Sequence, residues 1–390
     1  MTTVVSNTLP LGDVLAITSG FAFKSQYFSE TRDGLPLIRC RDVNTGLADV
    51  YYSGEYDKNY VVKKGELLVS MDGDFRVVRW QHDDALLNQR VCRLEPHTDR
   101  LDPGYLFYFL PKELDRIHAK TSFATVKHLS VKTIREIEVT LPPLPEQKRI
   151  AVILDKADTV RRKRQEALSH TKGFLKSVFQ DMFRDWLGMQ SSEMPKLGHP
   201  DMAEIASGVT KGRRFDGKET VVVPYIRVAN VQDGYLDLSE IKTIEVLPAD
   251  VESLLLQRGD VLMTEGGDHD KLGRGAMWEV EIPNCIHQNH VFRIRCNRGS
   301  LLPEYFAGYI QTGLAKAYFL RCAKKTSNLA SINMTQLKAT PVPCPPTELQ
   351  QRYAEIRREH QKSIDTKERA LAESDNLFSS LVQRAFKGEL

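Results

Sequence analysis

Short apolar runs alternate with polar and turn residues through most of the chain, and this pattern predicts strands joined by tight turns. Segments 61–74 (VVKKGELLVSMDGD) and 220–231 (TVVVPYIRVANV) combine β-branched residues with the Gly, Asn and Asp residues that favour turns. Segments 105–120 and 303–323 instead repeat apolar residues every three or four positions, which is typical of helices. We therefore predict an α+β fold.

Two long polar segments each carry a narrow apolar stripe. After Pro145, apolar or small residues recur at helical spacing from Ile150 to Val178, and the same spacing returns from Tyr353 to Ala385. Prolines precede both starts, where a helix tolerates them, and none interrupts either stripe. Because an isolated rod of about 40 mostly polar residues would not stay ordered, we expect the two helices to pair as an antiparallel coiled coil.

The chain repeats itself. Proline clusters precede Gln147 and Gln350, and six further blocks recur in the same order in both halves. The matched blocks are 13–25 with 201–213, 35–50 with 223–238, 61–74 with 255–268, 86–94 with 286–294, 102–110 with 302–310, and 129–143 with 332–346. We predict a pseudo-twofold internal repeat, with similar globular domains at 1–144 and 188–346 and spacer helices at 145–187 and 347–390.

Composition narrows the class of protein. A chain of 390 residues suits two domains, and a net charge of +3 is low for a protein that binds phosphate unaided. Only the first long helix is clearly basic. With no leader pattern, no long apolar run and six scattered cysteines without a CxxC pair, we expect a cytoplasmic protein with reduced thiols and no membrane association.

The motifs of catalysis and metal binding are weak or missing. There is no [DNS]PP[YF] motif for methyl transfer to a DNA amine and no phosphate-binding loop for ATP-driven translocation. Asp233, Glu240 and Lys242 have a spacing seen in nucleases, but that spacing often arises by chance. The run Cys285-x-His287-x-x-His290 has zinc-ligand residue types, yet its counterpart in the first half is Ala85-x-Leu87-x-x-Arg90. We predict no catalytic residue and no metal site.

Basic residues cluster on predicted loops. The glycine-bearing loops 71–80 and 264–278 carry arginines, which can pair bidentately with guanine in a major groove. The alternative is that these are solvated turns, as charged turns often are. The amides Asn88-Gln89 and Gln288-Asn289 recur in both halves and either bond backbone at a turn or reach nucleic acid.

Two globules that each end in a proline cluster, a glutamine and a long helix resemble the DNA specificity subunit of Type I restriction–modification enzymes. The segments PPLPEQKRI (142–150) and LVQRAFKGEL (381–390) carry most of this resemblance, which extends over essentially the whole chain. The second helix entry departs from the pattern at Leu349, where the first has Glu146, but it keeps Gln350.

The resemblance implies a non-catalytic subunit whose two target recognition domains each read one half of a split, asymmetric sequence in double-stranded DNA. The helices would fix the gap between half-sites and dock two methyltransferase subunits that carry S-adenosylmethionine, and through them restriction subunits that use ATP and Mg. No cofactor would be bound by this chain itself. The residues of helix entry and spacing would be Pro142, Pro143, Gln147, Pro345, Pro346 and Gln350. The alternative is a coiled-coil scaffold that joins protein-binding modules without DNA specificity.

Candidate DNA contacts come from the loop analysis, because the family offers no residue-level motif for them. We predict contacts from Lys24, Arg76, Arg79, Lys127 and His128 in the first domain. In the second domain the candidates are Lys211, Arg213, Arg214, Lys271, Arg274 and Lys324.

Overall fold

The chain forms two compact units. The computed structural model describes residues 7–120, 127–267, 272–280, 282–325 and 330–390. The first unit comprises Met1–Gln165 and Arg369–Leu390, and the second comprises Glu166–Glu368. Each unit therefore contains one globular domain and parts of both long helices.

The described part of the first unit is built on three sheets and three shorter helices. Its strands are β1 (Asn7–Pro10), β2 (Leu15–Ser19), β3 (Phe28–Ser29), β4 (Leu35–Ile38), β5 (Tyr51–Tyr52), β6 (Val61–Val62), β7 (Leu67–Ser70), β8 (Val77–Arg79), β9 (Ala85–Leu87), β10 (Val91–Pro96) and β11 (Glu138–Leu141). Its helices are α1 (Cys40–Thr45), α2 (Pro103–Lys120) and α3 (Val131–Arg135), and helix α4 (Leu144–Met182) begins in this unit. The sheet orders are β2-β10-β7-β8, β3-β5-β4-β9-β6 and β1-β11.

The second unit repeats much of this arrangement. Its strands are β12 (Ala203–Ser207), β13 (Val221–Ile226), β14 (Lys242–Val246), β15 (Val261–Thr264), β16 (Gly266–Gly267), β17 (Gly275–Met277), β18 (Ile286–His287), β19 (Val291–Cys296), β20 (Lys324–Lys325) and β21 (Ala330–Ser331). Its helices are α5 (Arg184–Leu187), α6 (Pro248–Leu254), α7 (Pro303–Tyr309), α8 (Gly313–Cys322) and α9 (Met334–Lys338), and α10 (Thr347–Ala385) begins here. The sheet orders are β12-β19-β15-β17, β14-β13-β18 and β16-β21-β20.

Strand pairing confirms the internal repeat. The order β2-β10-β7-β8 corresponds strand for strand to β12-β19-β15-β17, and both sheets are antiparallel. In each unit a parallel pair stands beside this sheet, with Ile38 opposite Leu87 and Ile226 opposite His287. Duplicated sequence blocks therefore form duplicated strands in the same register.

The two long helices are antiparallel partners within each unit. In the first unit, Arg164 of α4 donates to Ser374 Oγ of α10 at 3.0 Å, and Arg149 donates to the Leu390 carbonyl at 2.6 Å. In the second, His360 Nε2 donates to the Thr171 carbonyl at 2.7 Å, and the Phe179 and Tyr353 rings lie 5.1 Å apart. As residue numbers increase along α4, the numbers of their contact partners on α10 decrease. The two helices therefore run antiparallel, as predicted from their apolar stripes. None of the helices among the described residues is long and apolar enough to cross a membrane.

Candidate nucleic-acid interface

Each long helix is fastened to its globular domain by one buried glutamine. Gln147 accepts from the Asp102 N–H at 2.9 Å and donates to the Arg100 and Pro142 carbonyls at 3.0 and 2.9 Å. Gln350 makes the same three bonds, with the Leu302 N–H and the Ser300 and Pro345 carbonyls, at 2.8, 3.0 and 2.8 Å. Both side chains are almost completely buried. One amide thus satisfies three backbone groups that would otherwise be costly to bury.

The prolines complete this helix entry. The Pro143 carbonyl accepts from the Glu146 and Gln147 N–H groups, and the Pro346 carbonyl accepts from Leu349 and Gln350 in the same way. Leu349 therefore keeps the backbone role of Glu146. The glutamic acid side chain is what differs, and in the first unit it pairs with Arg149 at 2.7 Å.

A three-residue turn collects the loops of each unit. We call residues 88–90 and their counterparts 288–290 the shared turn. In the first unit its backbone makes hydrogen bonds with the backbone of Phe21, Ile38 and Met71. In the second unit it makes hydrogen bonds with the equivalent Val209, Ile226 and Glu265.

Glycine is required beside the shared turn. A Cβ atom on Gly20 would lie 2.0 Å from the Asn88 carbonyl oxygen, and one on Gly208 would lie 1.9 Å from the His287 carbonyl oxygen. The chain can pass this close to another backbone only where no side chain intervenes. The two Ser-Gly pairs found in matching sequence blocks are therefore explained by the same close approach.

In the first unit the shared turn ends in a cluster of ionisable side chains. Arg90 Nη1 lies 3.2 Å from the His128 ring, and its Nε lies 3.7 Å from Asp72. His128 Nδ1 lies 2.7 Å from Asp72 Oδ1. The Gly73 N–H donates to the Lys127 carbonyl at 3.1 Å, and the Ser70 N–H donates to the Arg76 carbonyl at 2.9 Å. Lys127, His128 and Arg76 are thereby brought to one loop region.

The second unit has the same arrangement with different side chains. His290 Nδ1 lies 2.5 Å from Glu265 Oε2, and the Glu265 backbone bonds both His290 and Ile332. The Thr264 N–H donates to the Arg274 carbonyl at 2.9 Å, which makes Arg274 the counterpart of Arg76. Lys324 lies in the small sheet that continues from Glu265 through β16, β21 and β20.

Most candidate contacts are exposed, and some of them, such as His128 and Arg213, already have a partner in the protein. Lys24, Arg76, His128, Lys211, Arg214 and Lys324 are exposed. Lys127 donates its Nζ to the His118 carbonyl at 2.6 Å, and Arg213 pairs with Asp250 at 2.9 Å. Arg274 is half-buried and donates to Gln232 at 2.8 Å. Lys271 lies outside the described residues.

Arg79 requires a correction. We expected it on a loop, but it ends strand β8, where its guanidinium lies 4.9 Å from the Phe107 ring centroid and 3.5 Å from Asp155 of α4. Tyr108 donates to the same carboxylate at 2.7 Å. Arg79 therefore connects the sheet to the long helix, because its side chain leaves the strand on the face covered by α4.

The cysteine–histidine run is divided between core and surface. His287 is fully buried and donates its Nδ1 proton to the Val291 carbonyl at 2.7 Å, while His290 is exposed beside Glu265. Burial lowers the pKa of His287 to about 4, because a charged imidazole would lose its hydration. No group of three or more His, Cys, Asp or Glu residues within the described ranges is arranged to hold a metal ion.

The carboxylates of the nuclease alternative serve as salt-bridge partners. Asp233 pairs with Lys316 at 2.6 Å, and Glu240 pairs with Arg227 at 2.9 Å and Lys242 at 3.3 Å. The hydrogen bond from Arg227 and the neighbouring Lys242 lower the pKa of Glu240. These contacts hold the 227–242 segment together.

Comparison with known proteins decides the family. The family model of the Type I restriction modification DNA specificity domain matches residues 6–169 and 195–373. The chain belongs to this family of DNA specificity subunits.

Individual specificity subunits align with this chain over nearly its whole length. The specificity subunit of the Type I restriction enzyme EcoBI from Escherichia coli is 30% identical over 98% of this chain and 85% of its own. The EcoKI specificity subunit from Escherichia coli K12 is 25% identical over 98% of this chain and 88% of its own. The crystal structure of a Type I S subunit from M. genitalium shares the fold, with a TM-score of 0.58 and 14% identity over 99% of this chain and 97% of the other.

Sequence reasoning missed four side chains of this specificity subunit. Arg90 and His290 end the shared turn, and Asp72 and Glu265 face them, but none was among the predicted contacts. A signal was present: the matched blocks 86–94 and 286–294 place a nitrogen-bearing side chain at the same position in both halves. The acidic partners could not be found in this way, because they are 18 and 25 residues away in the chain.

Proposed function

We propose that this specificity subunit reads a split DNA sequence, with one half-site taken by each unit. One observation carries the proposal: the two units share a hydrogen-bonded frame, but carry different side chains where their loops meet. A duplicated frame with unlike reading groups is what recognition of two unlike half-sites requires.

The frame itself is the same to the level of single hydrogen bonds. Met71 N–H bonds the Arg90 carbonyl at 2.8 Å, and Glu265 N–H bonds the His290 carbonyl at 3.0 Å. The backbone of the shared turn therefore makes hydrogen bonds to equivalent loop residues in both units, although Arg90 has a positive φ that His290 lacks. Side chains at this turn are then the groups that can distinguish one half-site from the other.

The mixed charges at the loops favour recognition of bases over non-specific attraction to phosphates. The first cluster combines Arg90 and His128 with Asp72, and the second combines His290 with Glu265. Mixed charges bind phosphates weakly, because each carboxylate offsets part of the attraction of its neighbours. Most of the phosphate attraction would then come from partner subunits.

The long helices are the proposed docking surface for two methyltransferase subunits. In the first unit, Val152, Val160 and Leu377 are 51%, 47% and 58% exposed, and in the second Phe174 is 52% exposed. A methyltransferase docked on the helices would cover these four apolar side chains, which the two helices leave exposed. The helices would also set the gap between half-sites.

The chemistry of the complex is assigned to its partners. In this proposal the chain itself is non-catalytic and binds no cofactor. Its methyltransferase subunits carry S-adenosylmethionine, and restriction subunits supply ATP- and Mg-dependent cleavage.

A selection experiment tests the proposal. The chain is co-purified with its methyltransferase partner and mixed with random-sequence duplexes, and the bound fraction is sequenced. Enrichment of two defined half-sites is expected. Binding without any sequence preference would contradict the proposal and favour a coiled-coil scaffold.

A further inference from the structure

Resting on the proposed function, we propose that Arg90 and His290 are specificity-determining residues, each of which reads a base in its own half-site. Asp72 and Glu265 are their positioning residues. In the shared turn, these two unlike side chains occupy one structural position.

Solvent exposure supports the equivalence of the two pairs. The side chains of Arg90 and His290 are 55% and 57% exposed, and those of Asp72 and Glu265 are 30% and 32% exposed. Each pair thus consists of a nitrogen-bearing side chain at the surface and a carboxylate that is less accessible beside it. Such a pair can keep its internal contact while the outer group meets a ligand.

The turn does not require the Arg90 side chain. Arg90 adopts φ = +69°, a left-handed conformation that favours glycine and is strained for a long side chain. The Arg90 carbonyl carries the bond to Met71, and a glycine could supply that carbonyl equally well. Within the described part of the chain, the guanidinium lies against Asp72 and His128, two other exposed or half-buried groups of the same loops. This conformational cost is explained if the side chain serves recognition.

The two side chains present opposite hydrogen-bonding groups. Arg90 offers only N–H donors, whose natural partners on a base edge are the O6 and N7 acceptors of guanine. In neutral His290 the carboxylate of Glu265 fixes the proton on Nδ1, at 2.5 Å. Nε2 is then an acceptor, and Asn289 Nδ2 lies 3.5 Å from it. An acceptor on the protein pairs with an amino group, such as adenine N6 or cytosine N4.

The carboxylates reduce the freedom of the reading groups before DNA arrives. His128 and Arg90 both contact Asp72, so two side chains share one anchor. Holding a long side chain close to its bound geometry lowers the entropy lost on binding. Asp72 and Glu265 act through their partners and need not touch DNA.

Selection from random duplexes tests this assignment with the complete complex of specificity and methyltransferase subunits. Arg90→Ala should remove a preference of roughly 10- to 100-fold at one guanine in one half-site. His290→Ala should relax one position in the other half-site by a similar factor. Glu265→Ala should relax the same position as His290→Ala, and the double variant should be no worse than His290→Ala alone.

Matched variants separate reading from folding. His199 is 60% exposed and lies 3.6 Å from Asp201, so His199→Ala removes the same kind of pair elsewhere in the unit. Arg116, 59% exposed and paired with Glu113 at 2.7 Å, is the control for Arg90. Neither control should alter the selected motif. Arg90→Gly removes the side chain without the backbone strain and should relax the same guanine as Arg90→Ala.

Each other outcome has a defined meaning. An unchanged motif in Arg90→Ala and His290→Ala would overturn the inference while leaving the proposed function intact. Equal weakening across all sequences would also overturn it, because that behaviour belongs to phosphate contacts. A wild-type complex without any motif would instead refute the proposed function.

Discussion

The two units share a frame but differ in how their domains fill the corner beside the long helices. In the first unit, Phe107 and Tyr108 occupy that corner, with Arg79 and Asp155 next to them. The matching positions in the second unit are Ala307 and Gly308, and a cavity of about 750 Å³ lies there. The Gln147 and Gln350 bonds are nevertheless the same. Attachment of the long helices therefore depends more on the glutamine hydrogen bonds to the backbone than on a particular packing of side chains in the corner.

A second contrast lies in the parallel strand pair. Leu87 in the first unit and His287 in the second hold equivalent, fully buried positions. Leucine is indifferent to pH, whereas a buried neutral imidazole must be protonated as the unit unfolds in acid. The two domains should thus differ in acid stability despite their common topology.

The largest expected effect comes from breaking the helix attachment. Gln147→Leu should destabilise the first unit, and Gln350→Leu the second, by about 4 kcal/mol each, because three backbone groups lose the buried amide that satisfies them. Hydrogen exchange measured by mass spectrometry reports each unit separately. Gln361→Leu, at an exposed position on α10, is the control and should change little. Equal losses in both units from either variant would contradict local attachment.

The next largest effect is a difference between the two units in stability at acid pH. His287 has a folded pKa of about 4 against about 6.5 for an unfolded histidine. The unfolded chain therefore binds the extra proton first, and the stability of the second unit falls as pH drops from about 6.5 to 4. The loss amounts to roughly 3 kcal/mol. The pH slope of exchange protection is compared in wild type and His287→Leu. An identical slope in the variant would refute this role of His287.

Exchanging the corner residues gives a smaller pair of effects. Phe107→Ala should cost the first unit about 2 kcal/mol, because it opens a space beneath Arg79. Ala307→Phe should stabilise the second unit by about 1 kcal/mol by filling part of its cavity. Urea denaturation with exchange detection checks both changes. A destabilised Ala307→Phe would show that the cavity cannot accept the ring that its counterpart holds.

The smallest effect is expected at Arg79. Its carboxylate partner Asp155 is 44% exposed, so Arg79→Met, which introduces the counterpart residue Met277, should cost less than about 1 kcal/mol. Because the side chain faces α4, the DNA motif selected by the complex should not change. Loss of preference at one base pair would restore Arg79 as a DNA contact.

The sequence was sufficient for features that depend on local pattern. Apolar spacing predicted both long helices, which have 39 residues each, and matched blocks predicted two similar globular domains. Gln147 and Gln350 were found because the entry motif repeats. These features follow from helical periodicity and from an internal repeat, both of which a single sequence displays directly.

Features that depend on contacts between residues far apart in the chain could not be predicted from the sequence. Arg79 faces Asp155, and Arg213 faces Asp250, through pairings of residues separated by dozens of positions. Basic residues near glycines looked alike in the sequence, whether their side chains were free or engaged. Only the folded backbone shows that the shared turn gathers the loops around Arg90 and His290.

The central claim is that two units with a common backbone arrangement recognise different DNA half-sites. A map of adenine methylation tests it most directly. DNA is sequenced from cells that carry this chain with its partner methyltransferase. One split motif is expected, with two different half-sites at a fixed spacing. A single continuous motif, or two identical half-sites, would contradict it.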